Sequence, residues 1–179
     1  MVNNKKVFAI SGSTRTSSTN LNYIKAIQEL AADLFSVSIF DGLMNIPPFN
    51  PDDDNENVPA VIKSFRNQLK EAHGILICTP EYAMGVPGAL KNAIDWTVSS
   101  MEFSKKPVAL ITASLSGQKG HAALMETLIV IESIIPAETQ LIIPFAKTKI
   151  SADNKVTDDA VLLQINKLIT AFSSLMNEQ

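Results

Sequence analysis

Val7-Phe8-Ala9-Ile10 is a short apolar run that breaks into Ser11-Gly12-Ser13-Thr14-Arg15-Thr16-Ser17-Ser18-Thr19-Asn20 before a helical pattern begins at Leu21. Apolar run, hydroxyl-rich break and helical period together spell a strand, a loop and a helix start. Such a loop gathers backbone N–H groups and the positive end of a helix dipole at one point, which suits a phosphate dianion. Between Ser13 and Thr19 it adds six hydroxyls and the forked guanidinium of Arg15. Gly12 is placed to let the backbone turn off the strand. Ser18 or Asn20 could serve as a plain helix cap, but a cap needs one such residue and this loop has many. Neither G-x-x-x-x-G-K-[ST] nor G-x-G-x-x-G is present, which counts against a P-loop and a dinucleotide fingerprint.

Outward from this loop the chain alternates. Leu21, Ile24, Ile27, Leu30, Ala31 and Leu34 recur at helical spacing, and Phe35 to Phe40 alternates apolar and polar like an edge strand. Asp41 to Pro59, with four prolines and the run Asp52-Asp53-Asp54, reads as a surface loop, either one that folds over a ligand or a plain connection with a solvated charge run. A second helix is expected from Val58 to Ala72, and a buried strand at Gly74 to Thr79. A third helix is expected from Gly85, on the stripe Val86, Leu90, Ile94, Thr97, Val98 and Met101. Val108 to Ala113 is a further buried strand, opening into Ser114 to Gly120. The next helix, from His121 to about Ile134, is apolar on more than one side, which points to a subunit interface or to deep burial in a monomer. Leu141-Ile142-Ile143 makes a fifth strand, and a last helix runs from about Asp158 to Leu175. Five strands alternating with helices predict an α/β fold over residues 1–179. Its expected form is a single doubly wound parallel sheet in the order 2-1-3-4-5, with the loops after strands one, three and four converging on one crevice.

Composition narrows the function. At 179 residues, with 46% hydrophobic and 18% charged residues and a net charge of −3, the chain suits one globular domain and carries no nucleic-acid or membrane-surface footprint. Cys78 is the sole cysteine, so no internal disulfide framework is possible. Met1 to Lys6 lacks the apolar core of a signal peptide, and no apolar run is long enough to span a bilayer; the cytoplasm is expected. No metal site is expected either. His73 and His121 fall at a helix end and a helix start and read as structural or exposed rather than catalytic, and nothing near Cys78 in sequence would lower its pKa, so it reads as packing. The crevice then offers a phosphate cradle, backbone donors and flat apolar surfaces, and Glu81 is the lone carboxylate of its second loop. That set suits a cofactor that does its own chemistry, and flavin mononucleotide fits best.

The motifs Gly12-Ser13-x-Arg15-x-x-Ser18-x-Asn20, Pro80-Glu81-Tyr82 and Pro87-Gly88-x-Leu90-Lys91-Asn92-x-Ile94-Asp95-Trp96 resemble those of the NAD(P)H-dependent FMN reductases, flavodoxin-like proteins that include quinone, azo-dye and chromate reductases. The resemblance implies that Ser13, Arg15, Ser18, Thr19 and Asn20 hold the FMN phosphate. Pro80, Glu81, Tyr82, Ala83 and Met84 would lie against the isoalloxazine with backbone N–H groups on its polar edge, and Ser114, Ser116 and Gly117 would border it from the other side. Many members have Asn where this chain has Ala83, and a double glycine in the third loop where this chain has Ser116-Gly117-Gln118-Lys119-Gly120. The implied reaction is hydride transfer from NADPH or NADH through FMN to a small oxidised acceptor such as a flavin, a quinone, an azo compound or a metal oxyanion. FMN does the chemistry and no catalytic side chain is expected. A homodimer or dimer-built tetramer is implied. Two rivals share the fold: a flavodoxin-type electron carrier, for which −3 is a weak docking charge, and a cofactor-free regulatory domain. No basic cluster for a 2′-phosphate stands out in the sequence.

Overall fold

The computed structural model describes residues 5–179; Met1 to Asn4, part of the segment read for a leader, lie outside the described residues. Five parallel strands, β1 (Lys5–Ser11), β2 (Phe35–Phe40), β3 (Gly74–Thr79), β4 (Val108–Ala113) and β5 (Gln140–Ile143), form one sheet in the order β2-β1-β3-β4-β5, as expected. Helices α1 (Thr19–Leu30) and α5 (Asp159–Asn177) cover one face; α2 (Ala60–Glu71), α3 (Gly88–Asp95) and α4 (Gln118–Val130) cover the other. Because side chains alternate along a strand, β1 sends Val7 and Ala9 to the first face and Phe8 and Ile10 to the second. β3 and β4 divide in the same way, and every residue of both is buried. This explains their unbroken apolar runs. On the second face Phe8, Phe40 and Phe65 form a cluster with ring centroids 4.8–6.0 Å apart.

The helix ends depart from expectation. Leu30 and Leu34, placed on the buried stripe of the first helix, are exposed, and Tyr23 and Ala26 are buried instead. The second helix spans Ala60–Glu71, not Val58 to Ala72: Pro59, as N-cap, cannot sit inside an established helix. The third helix starts at Gly88, after Pro87, and ends at Asp95. Beyond it Thr97 donates its hydroxyl to the Ile94 carbonyl at 2.7 Å and the Arg66 guanidinium takes the Trp96 carbonyl. The Ile94 carbonyl also accepts the Thr97 N–H at 2.9 Å and Asp95 that of Val98 at 3.3 Å, so the chain continues in turns that leave Val98 and Met101 exposed. The fourth helix begins at Gln118, three residues before His121, because Gly117 takes a left-handed φ of 99° at the cap; it stops at Val130 rather than Ile134. The fifth strand includes Gln140, and the last helix runs to Asn177, with Met176 buried and Leu175 half-buried.

The Asp41–Pro59 stretch is bolted to α3 and the segment after it. Asn92 Oδ1 accepts the Phe49 N–H at 2.7 Å, while Asn92 Nδ2 and Trp96 Nε1 both donate to the Pro47 carbonyl at 2.9 Å. Asp54 pairs with Arg66 at 2.7 Å and accepts the Ser99 hydroxyl. Burial alone would push Asp54 up, but Ser99 and Arg66 outweigh it and hold the carboxyl below the usual range. From Pro47 to Asp54, then, the segment is a fixed strap.

Candidate functional site

β1 runs into the first loop through Gly12, whose N–H donates to the Cys78 carbonyl at 2.8 Å. A Cβ at Gly12 would lie 2.3 Å from Thr79 Oγ1 and 2.7 Å from Thr79 Cβ. Its φ is not left-handed, so close approach to β3, rather than a sharp turn, requires glycine here. After the loop, Ser18 caps α1: its Oγ accepts the Leu21 N–H at 3.3 Å and its carbonyl accepts that of Asn22 at 3.1 Å. The N–H groups of Thr19 and Asn20 are left without an acceptor among the described residues. Ser18 is thus a cap, and it also stands beside these two free donors.

Asn20 is buried, with Oδ1 3.4 Å from Cys78 Sγ beneath the loop. Burial pushes the Cys78 thiol up, away from thiolate chemistry, so it packs as a small apolar group, in line with its sequence reading.

The second loop is a two-residue hairpin. Tyr82 and Gly85 exchange backbone hydrogen bonds at 3.0 and 2.9 Å, and Ala83 and Met84 between them take φ of 50° and 64°. Two non-glycine residues in the left-handed region are costly, at about 1–2 kcal/mol each. The Glu81 N–H is held by Ser114 Oγ at 3.2 Å, and the Tyr82 N–H by Gly85. Of the hairpin's N–H groups expected to face a ligand, those of Ala83 and Met84 therefore remain free among the described residues. The Glu81 carboxylate reaches across to the third loop, where it accepts the Gly120 N–H at 2.7 Å and the Ser116 hydroxyl at 3.4 Å. The fit at Gly120 is tight, since a Cβ there would meet the Gly85 carbonyl at 2.6 Å.

A fourth segment joins these loops. After β5, Phe145 N–H donates to the Leu115 carbonyl at 3.1 Å and Ala146 N–H to the Ser114 carbonyl at 3.0 Å. Ala146 in turn accepts the buried Tyr23 hydroxyl at 3.0 Å. Nothing local in the sequence marks Phe145 to Thr148 as part of a site; its place just beyond the carboxyl end of the fifth strand was the available signal.

These segments enclose a cavity of about 280 Å³. Ser13, Arg15, Ser18, Thr19, Asn20, Pro80, Tyr82 and Ser114, all named from the sequence, line it, joined by Ser17, Leu115 and the Phe145–Thr148 segment. Glu81, Ala83, Met84, Ser116 and Gly117 do not line it. Glu81 and Ser116 form the clasp just described, Ala83 and Met84 stand exposed at the hairpin tip, and Gly117 is packed over Thr112 and Ile142. Arg15 and Lys147 face the cavity without an ion-pair partner, and no carboxylate, imidazole or thiol lines it, among the described residues. The apolar side chains of Tyr82, Leu115 and Phe145, each at least half exposed, line the same cavity. A cavity that offers cations, free N–H groups and flat apolar surfaces suits a ligand with a phosphate tail and a planar ring system.

The two histidines stand apart from the cavity lining, as their structural reading expects. His121 Nδ1 lies 2.9 Å from Thr112 Oγ1 and Nε2 3.4 Å from Gln140 Oε1. Burial lowers its pKa against a smaller upward pull from Gln140, so the ring is neutral, accepting from Thr112 and donating to Gln140. His73 accepts the Lys6 N–H at 3.0 Å at the other end of the sheet.

A family model described as NADPH-dependent FMN reductase matches residues 5–148. A quinone reductase of Escherichia coli (strain K12) is 26% identical over 178 residues, covering 96% of this chain and 95% of that protein. An NAD(P)H-dependent FMN reductase of Pseudomonas aeruginosa is 33% identical over 160 residues, covering 86% of this chain and 85% of its own length. Among solved structures, the flavoenzyme NAD(P)H:(acceptor) oxidoreductase FerB from Paracoccus denitrificans superposes with a TM-score of 0.87 at 24% identity, over 97% of this chain and 98% of that one.

Proposed function

Because the chain belongs to the NADPH-dependent FMN reductase family, we propose how its residues serve the reduction of a small oxidised acceptor by NADPH or NADH through FMN. The observation that carries the proposal is the cavity itself: free N–H groups at the start of α1, two cations without ion-pair partners, no lining carboxylate among the described residues, and exposed apolar side chains. Those features fit a flavin mononucleotide. When bound, FMN supplies the redox chemistry, taking up hydride from NAD(P)H and passing the electrons to the acceptor.

The chain's own part is binding and placement. Thr19 and Asn20 N–H groups, the hydroxyls of Ser13 and Ser18, and the Arg15 fork donate to the phosphate; each charge-assisted bond contributes about 1.5–3 kcal/mol. Asn20 is held in place from below by Cys78. Pro80, Tyr82 and Leu115 flank the ring and Phe145 closes its far side, excluding water there. The N–H groups of Ala83 and Met84 remain available for its polar edge. Glu81, Ser116 and Gly117 act one step back, fixing the second and third loops to each other.

The same reading takes residues 1–179 as one FMN-binding domain in a cytoplasmic protein, supported by a single buried thiol. It also takes the active form to be a homodimer or dimer-built tetramer, supported by the exposure of Ile129 and Val130 at the end of α4. The test is a visible spectrum of the purified protein before and after NADPH is added without oxygen. Flavin bands that bleach are expected. Bands that persist with either nucleotide favour an electron carrier, and a colourless protein that takes up no added FMN favours a cofactor-free domain.

A further inference from the structure

With Arg15 committed to the FMN phosphate, the cavity's second cation, Lys147, has no task. Lys147 lies on the short turn Ala146–Thr148 after β5, is exposed, and lines the cavity together with Arg15. It has no ion-pair partner among the described residues. The chain around it is anchored to α1 twice: the buried Tyr23 hydroxyl donates to the Ala146 carbonyl at 3.0 Å, and Asn22 Nδ2 donates to the Ser151 carbonyl at 3.5 Å. Tyr23 lies one turn beyond Thr19 on the same face of α1, and helical side chains lean towards the N-terminus. The first anchor therefore sets the residue before Lys147 beside the helix start, where the Thr19 and Asn20 N–H groups are free. From the other side the turn is held by the Ala146 N–H, which donates to the Ser114 carbonyl at 3.0 Å. Arg15 reaches the same helix start from the loop that precedes it. Two cations distant in sequence thus approach the first turn of α1.

We infer that Lys147 is a specificity-determining residue of the flavin site: with Arg15 it brackets the phosphate at the start of α1 and selects FMN over its unphosphorylated form, riboflavin. The inference rests on the reductase reading above and deepens it. A phosphate monoester carries about −2 once its second proton is lost near pH 6. The helix pole offers about half a positive charge and Arg15 one, so together they fall short of the dianion by about half a charge. One more ammonium makes up the difference. The division of labour follows from the head groups. The planar fork of Arg15 fixes two oxygens at once, while Lys147 adds a point charge on a flexible stem. No carboxylate lines the cavity to compete for that ammonium among the described residues. Because Lys147 is exposed, its pull is screened by salt. The oxidised isoalloxazine is neutral, so a charge placed at the phosphate leaves riboflavin binding unmoved.

Flavin fluorescence titration of the flavin-free full chain with FMN and with riboflavin, at low and at high ionic strength, tests this directly. Lys147→Gln is expected to weaken FMN binding by about fivefold to tenfold at low salt while riboflavin affinity stays within about twofold. The salt dependence of FMN binding should flatten in that variant. Lys147→Arg, which keeps the charge, should restore both affinity and salt dependence. A merely structural lysine would move both flavins together and ignore salt. Lys149→Gln, the same loss of charge on the same segment but outside the cavity lining, should change neither. Equal losses for FMN and riboflavin, or an FMN affinity that survives Lys147→Gln, overturns the inference while the reductase reading stands on bleaching of the parent protein's flavin by NADPH. If the parent protein takes up no FMN, the reductase reading falls and this inference falls with it.

Discussion

Replacing Asn92 by alanine separates scaffold from site within a motif that resembles a reductase signature. Asn92 sits on α3 and fastens the strap with both ends of its amide, at 2.7 Å to Phe49 N and 2.9 Å to Pro47 O, and it does not line the cavity. Removing the amide loses both hydrogen bonds: the one to Pro47 O is worth about 1 kcal/mol, and loss of the other strands the half-buried Phe49 N–H at a cost of about 1–3 kcal/mol. Pro47 keeps its bond from Trp96 Nε1. Alanine returns about 0.6 kcal/mol through its higher helix propensity. The net loss is about 1.5–3.5 kcal/mol, which at an m-value of about 2 kcal/mol per molar urea lowers the unfolding midpoint by about 1 M. Urea titrations of parent and variant at one FMN concentration measure this, and flavin fluorescence titration gives the FMN Kd, expected to stay within twofold. An unchanged midpoint with loss of flavin would refute the reasoning and move Asn92 into the site.

Arg15→Ala is expected to weaken FMN binding by about tenfold or more; equal flavin content in the two proteins would count against the phosphate end as drawn. Cys78→Ala should leave turnover nearly unchanged, read as kcat with NADPH, because the thiol is buried and held in its protonated form. The double change Ala83→Asn, Met84→Gly installs the pair that type I′ turns favour and should raise stability by about 1–2 kcal/mol in urea titration. Stability should also fall with pH through His121. Its folded pKa lies below the ordinary 6.5, so the unfolded chain binds more protons there, and stability present above about pH 6.5 is lost as pH drops towards the folded value. A midpoint series from pH 7.5 to 5 should therefore slope less steeply in His121→Gln than in the parent protein.

Much of the architecture can be read in the chain because burial on two faces leaves a plain mark: Gly74 to Thr79 and Val108 to Ala113 are unbroken apolar runs and are wholly buried strands. The first-loop lining of the cavity was equally readable, since Ser13 to Asn20 is contiguous and its groups act locally. What was hidden depends on distant partners. The end of α3 is set by Arg66 reaching the Trp96 carbonyl, so a helical period that continues through Val98 and Met101 misleads. The Phe145 segment enters the site through hydrogen bonds to Leu115 and Ser114, thirty residues away. Asn92 and Trp96 look functional as a motif, and their hydrogen bonds serve the strap.

The clasp between Glu81 and Gly120 decides which way a ligand can lie. All five helices follow parallel strands and begin on the carboxyl side of the sheet, α1 and α4 among them, and each helix N-terminus is a positive pole. At α4 the chain's own carboxylate already sits on that pole. At α1 the Thr19 and Asn20 N–H groups stay open beside the cavity, so an anion finds donors there that Glu81 denies it at Gly120. Neutralising residue 81 would free the second pole and make the reverse heading competitive, turning an oriented berth into one that accepts its guest either way round.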